Sequence, residues 1–267
     1  MSPSPKRRGA KTGAIYRSMT SPRFGLHADR YRRFRPGYPD APFDRATEAC
    51  GAPLGYAVDL GAGSGQATEQ VLKRFARVLA AEPDADMAAL IPPDPRLSVQ
   101  VATAETAELG EGVDAVFSAT AFHWMDADVV CRRVAQALRP RGVFLAIAYG
   151  PFRIAAPGAA AEVLVQEGEL WRTHMDPRLA QWRPYAELMT ATGAFASVET
   201  VDVGFEEART PEATAGLWLT TSFASAYARS TGDEAGYGER FAQRLAQAAA
   251  GETLTVAFTV TGALARV

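Results

Sequence analysis

The chain has 267 residues, 48% of them hydrophobic, enough to bury one large α/β core with added cap elements. A formal net charge of -2 and a pI near 6.0 supply no general attraction for nucleic acid, and no dense basic stripe accompanies the aromatic residues, so a small-molecule partner is favoured. Two cysteines, Cys50 and Cys131, offer no disulfide framework, and neither a signal peptide nor an apolar run of membrane-spanning length is visible; the expectation is a cytoplasmic protein with no membrane partner.

In chain order, residues 1–22 mix Pro, Ser, Lys and Arg without an apolar run and read as a flexible tail. In the following stretch, residues 23–52, Tyr31 and Arg35 lie four apart, on one face if the segment is helical. Tyr56 to Leu60 reads as a short buried strand, and apolar positions at helical spacing run from Gln66 to Phe75. Between them stands Asp59-Leu60-Gly61-Ala62-Gly63-Ser64-Gly65. A second strand, Arg77 to Ala81, ends in Glu82-Pro83; a third, Leu97 to Val101, precedes Thr103-Ala104-Glu105. The fourth, Val113 to Ser118, runs into Ala119-Thr120-Ala121-Phe122-His123-Trp124-Met125-Asp126, and a fifth follows Leu138-Arg139-Pro140-Arg141-Gly142. Beyond Tyr149-Gly150 the alternation stops. Helices are expected over 159–174 and 185–192, a sixth strand over 196–205, helical segments over 211–229 and 234–249, and a half-exposed final strand over 253–267.

A strand, a glycine turn and a helix mark a nucleotide-type site, because glycines let a ligand approach bare backbone and helix-terminal amides point outward. The spacing then selects the ligand. A nicotinamide fingerprint is G-x-G-x-x-G, whereas here the third glycine, Gly65, comes one residue early and Gln66 holds the required position. A carboxylate at the strand tip, Asp59, repels a pyrophosphate but stabilises a cofactor that carries an ammonium and a sulfonium.

The loop resembles motif I of the class I S-adenosylmethionine-dependent methyltransferases. Glu82 lies where that family's acid takes both ribose hydroxyls, Pro83 follows it, and Met87 stands where an apolar residue meets the adenine; the alternative for Glu82 is a helix-start acid. Thr103-Ala104-Glu105 is similar to the family's G-D-A-E turn, with Thr103 in place of the Asp that takes the adenine amino group. The stretch Ala119 to Asp126 resembles the A-x-A-x-H-W-F-D segment of the small-molecule subgroup that includes trans-aconitate methyltransferase, which adds Ala119, Phe122 and Trp124 to the cofactor-binding candidates. Phe24-Gly25 through Tyr31 to Arg35-Pro36-Gly37-Tyr38-Pro39 resembles the segment that closes over the methionine end of the cofactor; Tyr31 and Arg35 then reach its carboxylate or a substrate anion, or else sit on a solvated basic helix with Arg30, Arg32 and Arg33. Arg141 replaces a glycine of the family's L-x-P-G-G turn, expected to alter only a surface turn.

The resemblance implies an α/β fold with a doubly wound, mostly parallel seven-stranded sheet, an antiparallel last strand and helical cap insertions. Residues 23–52 form N-terminal lid helices, 53–150 the cofactor-binding core, and 151–267 the cap with strands six and seven. Insertions there overlie the carboxyl ends of the strands, where ligands bind in open α/β sheets. Tyr149, Trp171, His174, Trp182, Arg183, Trp218, Ser222 and Tyr227 are the candidates to line the lid; the competing reading of each aromatic is core packing, and that of Arg183 a solvated helix start.

Methyl transfer from a sulfonium is an in-line displacement in which orientation alone contributes roughly 7 to 11 kcal/mol. A carboxylate acceptor needs no base, but a phenol, alcohol or carbon acid does, and His123 is then either that base or part of the pocket wall. The three histidines, His27, His123 and His174, lack metal-ligand spacing, so no metal is expected. Two rival classes fail on residues. A short-chain dehydrogenase needs Tyr with Lys four later, and the only lysines are Lys6, Lys11 and Lys73. A DNA amino-methyltransferase carries an Asn- or Asp-Pro-Pro-aromatic turn where Ala119-Thr120-Ala121-Phe122 stands. The expectation is methyl transfer to an oxygen of a small molecule, with carbon methylation or a non-methylating homologue as alternatives; the Ala- and Arg-rich, Lys-poor composition points to secondary metabolism.

Overall fold

A computed structural model describes residues 28–180 and 182–267. The expected tail over 1–22, the Phe24-Gly25 start of the N-terminal motif and His27 lie outside the described residues. Helices α1 (Ala28–Phe34) and α2 (Asp40–Cys50) lead into β1 (Tyr56–Leu60), α3 (Gln66–Leu72), β2 (Arg77–Ala81), α4 (Ala85–Ala88), β3 (Leu97–Gln100), β4 (Val113–Ala119), α5 (Ala127–Ala137) and β5 (Leu138–Tyr149). The remainder comprises β6 (Arg153–Ile154), α6 (Ala159–Arg172), α7 (Pro177–Ala180), α8 (Tyr185–Thr192), β7 (Ser197–Arg209), α9 (Pro211–Trp218), α10 (Ser222–Ser230), α11 (Glu234–Ala248) and β8 (Leu254–Arg266).

The strands hydrogen-bond in the order β3-β2-β1-β4-β5-β8, the first five parallel and β8 antiparallel to β5. Parallel strands need cover on both faces, and their pleat sorts side chains accordingly. On β5, Val143, Leu145 and Ile147 join Phe43 of α2 and Val71 of α3, whereas Phe144, Ala146 and Ala148 join Val130 and Val134 of α5 and Met189 of α8. A third apolar cluster gathers α6, α9, α10 and α11 around Leu254, Val256 and Phe258 of β8. The cap therefore stands on the first half of the last strand, and each large side chain fully buried there is worth about 1.5–3 kcal/mol.

The doubly wound sheet agrees with the sequence reading, with three adjustments. A two-residue strand, β6, pairs with Val256 and Ala257 and makes the sheet eight-stranded. The last strand is not half-exposed: β7 flanks it from Leu254 to Arg266 and β5 pairs with its second half, so Ala257, Ala263 and Ala265 are buried along with Val256, Phe258 and Val260. The segment expected to be helical over 211–229 breaks after Trp218, where the hydroxyls of Thr220 and Thr221 donate to the carbonyls of Leu217 and Trp218 and compete with helical hydrogen bonding.

Candidate functional site

The glycine turn sits at the carboxyl end of β1, held by β2. The N–H groups of Gly61 and Ala62 donate to the Ala81 carbonyl at 2.8 and 3.1 Å, and that of Gly63 donates to Glu82 Oε2 at 2.8 Å. These amides turn inward, so the loop is not the outward-facing anion cradle of a dinucleotide site. Gly61 has φ +70°, and a Cβ on it would lie 2.4 Å from Ala121 Cβ; only glycine fits between β1 and the segment after β4. Gly65 adopts φ +95° to start α3 and packs against Ile91.

Asp59 is fully buried beneath this turn. Its Oδ2 accepts from Thr68 Oγ1 of α3 at 2.7 Å, while Oδ1 has no hydrogen-bond partner. Burial pushes its pKa up to about 7; the Thr68 hydrogen bond works against that rise and the nearby Glu82 charge adds to it. Glu82 is also raised by burial, with the amides of Asp84 and Gly63 pulling the other way. Its two oxygens accept one amide each, which leaves two of roughly four lone-pair sites for further donors. Met87 Cε lies 3.7 Å from the Cβ position of Gly63, so Met87 packs beside the glycine loop. Pro83 is exposed beside it, and Ala62 and Ala104 are buried. Glu105 does something different: its carboxylate accepts from the Asp126 amide at 2.9 Å and ties the turn after β3 to the start of α5.

The tip of β4 forms the opposite wall. Ala119 is half-buried, Thr120 takes φ +55°, a strained conformation for a β-branched residue, and the following 3-10 turn Phe122–Trp124 presents His123 and Trp124 half-buried. Phe122 itself points the other way, fully buried edge-to-face against Phe144 and Tyr185, because an apolar ring at the start of the turn completes the core over α5; its side chain is core, not pocket lining. His123 packs at a tilt against Trp124 at 4.7 Å and Trp182 at 5.3 Å, and its Nδ1 is 2.7 Å from the Tyr185 hydroxyl.

The N-terminal segment bridges this wall to the cap. Tyr31 and Arg35 do share a face: the Arg35 guanidinium lies 5.0 Å over the Tyr31 ring and 4.9 Å over Phe152, and its Nε donates to Thr220 Oγ1 at 2.7 Å. The surrounding arginines make surface ion pairs. Arg30 pairs with Glu234 at 2.9 Å and Arg33 with Glu212 at 3.2 Å. Tyr38 stacks on Tyr149 at 5.0 Å and shares a 2.6 Å hydrogen bond with Thr120, while the Tyr149 hydroxyl donates to the Gly37 carbonyl at 2.9 Å. Tyr149 thus anchors the Arg-Pro-Gly-Tyr-Pro linker onto the strand tips.

The other cap candidates divide. Trp171 is 1% exposed and donates to Tyr237 Oη at 2.7 Å, and Trp218 is buried edge-to-face on Phe152; both are cap core, as helix-face aromatics commonly are, and not pocket lining. Arg183, in the segment before α8, lies exposed in a 3.8 Å pair with Glu187 of that helix. His174 sits edge-on to Tyr227 at 5.5 Å, and Ser222 is exposed at the start of α10. Trp182 alone of the group reaches His123.

Comparison with known proteins gives this geometry a family. The methyltransferase domain family matches residues 58–146. A Dictyostelium discoideum protein named as a methyltransferase is 30% identical over 166 residues, covering 62% of this chain and 62% of that protein. A Mycobacterium tuberculosis methyltransferase of uncharacterized activity is 36% identical over 125 residues, covering 45% of this chain and 49% of its own length. A solved structure described as a type II methyltransferase from Anaeromyxobacter dehalogenans superposes with TM-score 0.70 at 29% identity, covering 87% of this chain and 97% of that one. Residues 58–146 carry an S-adenosylmethionine-dependent methyltransferase domain. The chain spans about three fifths of the Dictyostelium relative and half of the mycobacterial one.

The donor set of this methyltransferase domain fits its cofactor's chemistry. An unpartnered buried carboxylate oxygen, inward-turned amides and a second acid with spare lone pairs suit a cation and ribose hydroxyls rather than phosphates. Sequence reasoning missed Tyr38, Thr120, Phe152, Tyr185 and Thr220. Tyr38 stood in the quoted motif without a role, whereas Tyr185 meets a partner 62 residues away and carried no local signal. Among the described residues no cluster of ligands could hold a metal, and no helix is long and apolar enough to cross a membrane.

Proposed function

We propose that this methyltransferase moves the methyl group of S-adenosylmethionine to an oxygen, carboxylate or hydroxyl, of a small-molecule acceptor. Arg35 carries the reading. Its guanidinium makes no ion pair among the described residues, lies between the Tyr31 and Phe152 rings, and stands by Tyr149 at the carboxyl end of β5, where an anionic group can meet it.

In this reading the backbone from Gly61 to Gly65 lies against the cofactor, Asp59 answers the ammonium, Glu82 takes the ribose hydroxyls with its free lone pairs, and Met87 covers the adenine. When bound, the cofactor supplies a methyl group on a positively charged sulfur. The chain's own task is positioning: Trp124, Trp182 and His123 wall the approach, the Tyr38–Tyr149 stack fixes the linker that carries Arg35, and orientation of this kind is worth roughly 7 to 11 kcal/mol. The test is incubation with isotope-labelled S-adenosylmethionine and a panel of carboxylic acids, phenols, alcohols and carbon acids. Label in an ester or ether is the expected product. Label on carbon only, or cofactor binding with no S-adenosylhomocysteine released across the panel, would overturn the oxygen reading.

A further inference from the structure

Tyr185 opens α8 at 2% exposure, yet its hydroxyl is shared with a residue of the β4 tip. The backbone N–H of His123 donates to the Tyr185 oxygen at 3.3 Å, and Nδ1 of the same residue lies 2.7 Å from it. A phenol has one proton to give and two lone pairs with which to receive. If Nδ1 carried the imidazole proton, the phenol oxygen would accept from both groups and its own proton would be left pointing among Phe122 and the apolar side chains of the core, where the described residues offer it no acceptor. With the phenol donating to Nδ1, every one of these groups is satisfied. Burial raises the phenol's pKa and keeps it a donor. Trp124 and Trp182 pack on the imidazole, so the ring is not free to turn over and exchange its nitrogens.

We propose that Tyr185 is a positioning residue that holds His123 as the Nε2–H tautomer, so that His123 meets the methyl acceptor as a hydrogen-bond donor and not as its general base. The identity of what Nε2–H meets rests on the function proposed above; the tautomer belongs to the protein alone. The chemical consequence is a demand on the acceptor. Its oxygen must present a lone pair without a proton for His123 to remove. That lone pair forms the new O–C bond, the C–S bond breaks with its electron pair remaining on sulfur, and an anionic acceptor oxygen ends neutral, with no proton passing through His123.

The decisive measurement is a long-range proton–nitrogen correlation spectrum of the full chain labelled in histidine nitrogen, with S-adenosylhomocysteine present, at neutral and mildly alkaline pH. His123 is expected to show a protonated Nε2 and an unprotonated Nδ1, and Tyr185→Phe to convert this to a mixed population. An Nδ1–H signal in the unmodified protein, or an unchanged spectrum in a folded Tyr185→Phe, would overturn the proposal; should that variant fail to fold, the unmodified spectrum decides. Calorimetry of S-adenosylhomocysteine on the same samples separates the two claims, since lost cofactor binding strikes the proposed function and leaves the tautomer standing. With an acceptor found by the labelling panel, His123→Gln, whose amide keeps an N–H near the Nε2 position, should retain most turnover while His123→Ala loses about a hundredfold. Equal loss in both would restore the base.

Discussion

The glycine turn over Asp59 and the polar knot around Glu167 are both buried, but they are held by different means. At the turn, backbone does most of the work: the Gly61 and Ala62 amides bond to the Ala81 carbonyl of β2, the Gly63 amide bonds to the Glu82 carboxylate just past that strand, and a positive φ at Gly61 admits no side chain. In the cap, side chains do it. Glu167 of α6 accepts from the Tyr237 hydroxyl and the Arg244 guanidinium of α11, and Tyr237 in turn accepts from Trp171 at 2.7 Å. A site held by backbone tolerates change around it and fails when its own chain is altered; one held by side chains can be retuned without disturbing the cofactor. Separating the two by mutation tests that claim.

The largest effect is expected at Gly61→Val. Its Cβ would overlap Ala121 and its backbone would be strained, so affinity for S-adenosylhomocysteine measured by calorimetry should fall by about a hundredfold or more, about 2.7 kcal/mol. Unchanged affinity would show that the cofactor does not lie against this turn. Glu167→Gln is the matched change in the cap. It weakens the bonds from Arg244 and Tyr237, which should lower unfolding stability by about 1–3 kcal/mol while cofactor affinity stays within about twofold. If affinity fell in parallel with stability, core and cap would be one cooperative unit and the comparison would collapse.

Next in size is a pH effect at Asp59, raised by burial to about 7. A carboxyl raised in the folded state contributes its stability at low pH and loses it as pH climbs from the ordinary carboxylate range through about 7, so the free protein is penalised on the alkaline side. A cationic ligand prefers the ionised form, and affinity should therefore move the other way. Between about pH 6 and pH 8 S-adenosylmethionine should bind about tenfold more tightly, with proton release on binding, and Asp59→Asn should abolish the slope. A flat profile would mean that Asp59 does not sense the cofactor.

The same contrast explains what the sequence made legible. Gly61 and Gly65 shape the turn through backbone geometry, and Glu82 and Met87 meet it from within thirty residues, a spacing that a motif records directly. Arg35 and Tyr31 were likewise readable from a four-residue spacing. The cap gave only aromatic residues at helical spacing, and that pattern does not say which side faces inward: Trp171 and Trp218 went to the cap core, while Trp182 met His123. The half-exposed reading of β8 failed for a related reason. Alternation shows which residues are apolar, but whether a strand has two neighbours depends on β5 and β7, remote in sequence.

The smallest effect lies at the irregular start of β5, at the other end of that strand from Tyr149. Arg141 holds φ +68°, where the family's turn carries glycine, and it is exposed. A side chain in the left-handed region is strained, so Arg141→Gly relieves strain at the cost of a more flexible unfolded chain, for a net gain of up to about 1 kcal/mol, or about 2–4 °C in Tm. The neighbouring position has the opposite requirement. A Cβ on Gly142 would come within 2.8 Å of the Arg139 carbonyl oxygen, so Gly142→Ala should lower Tm. Because Arg139 pairs with Asp114, which also accepts the amides of Gly55 and Tyr56 at the entry to β1, that strain is transmitted toward the strand that carries the site. Cofactor affinity should hold in the Arg141 variant, since relief of a remote turn adds nothing at the glycine loop; a change in affinity there would reveal that the far end of the sheet helps to set the loop's geometry.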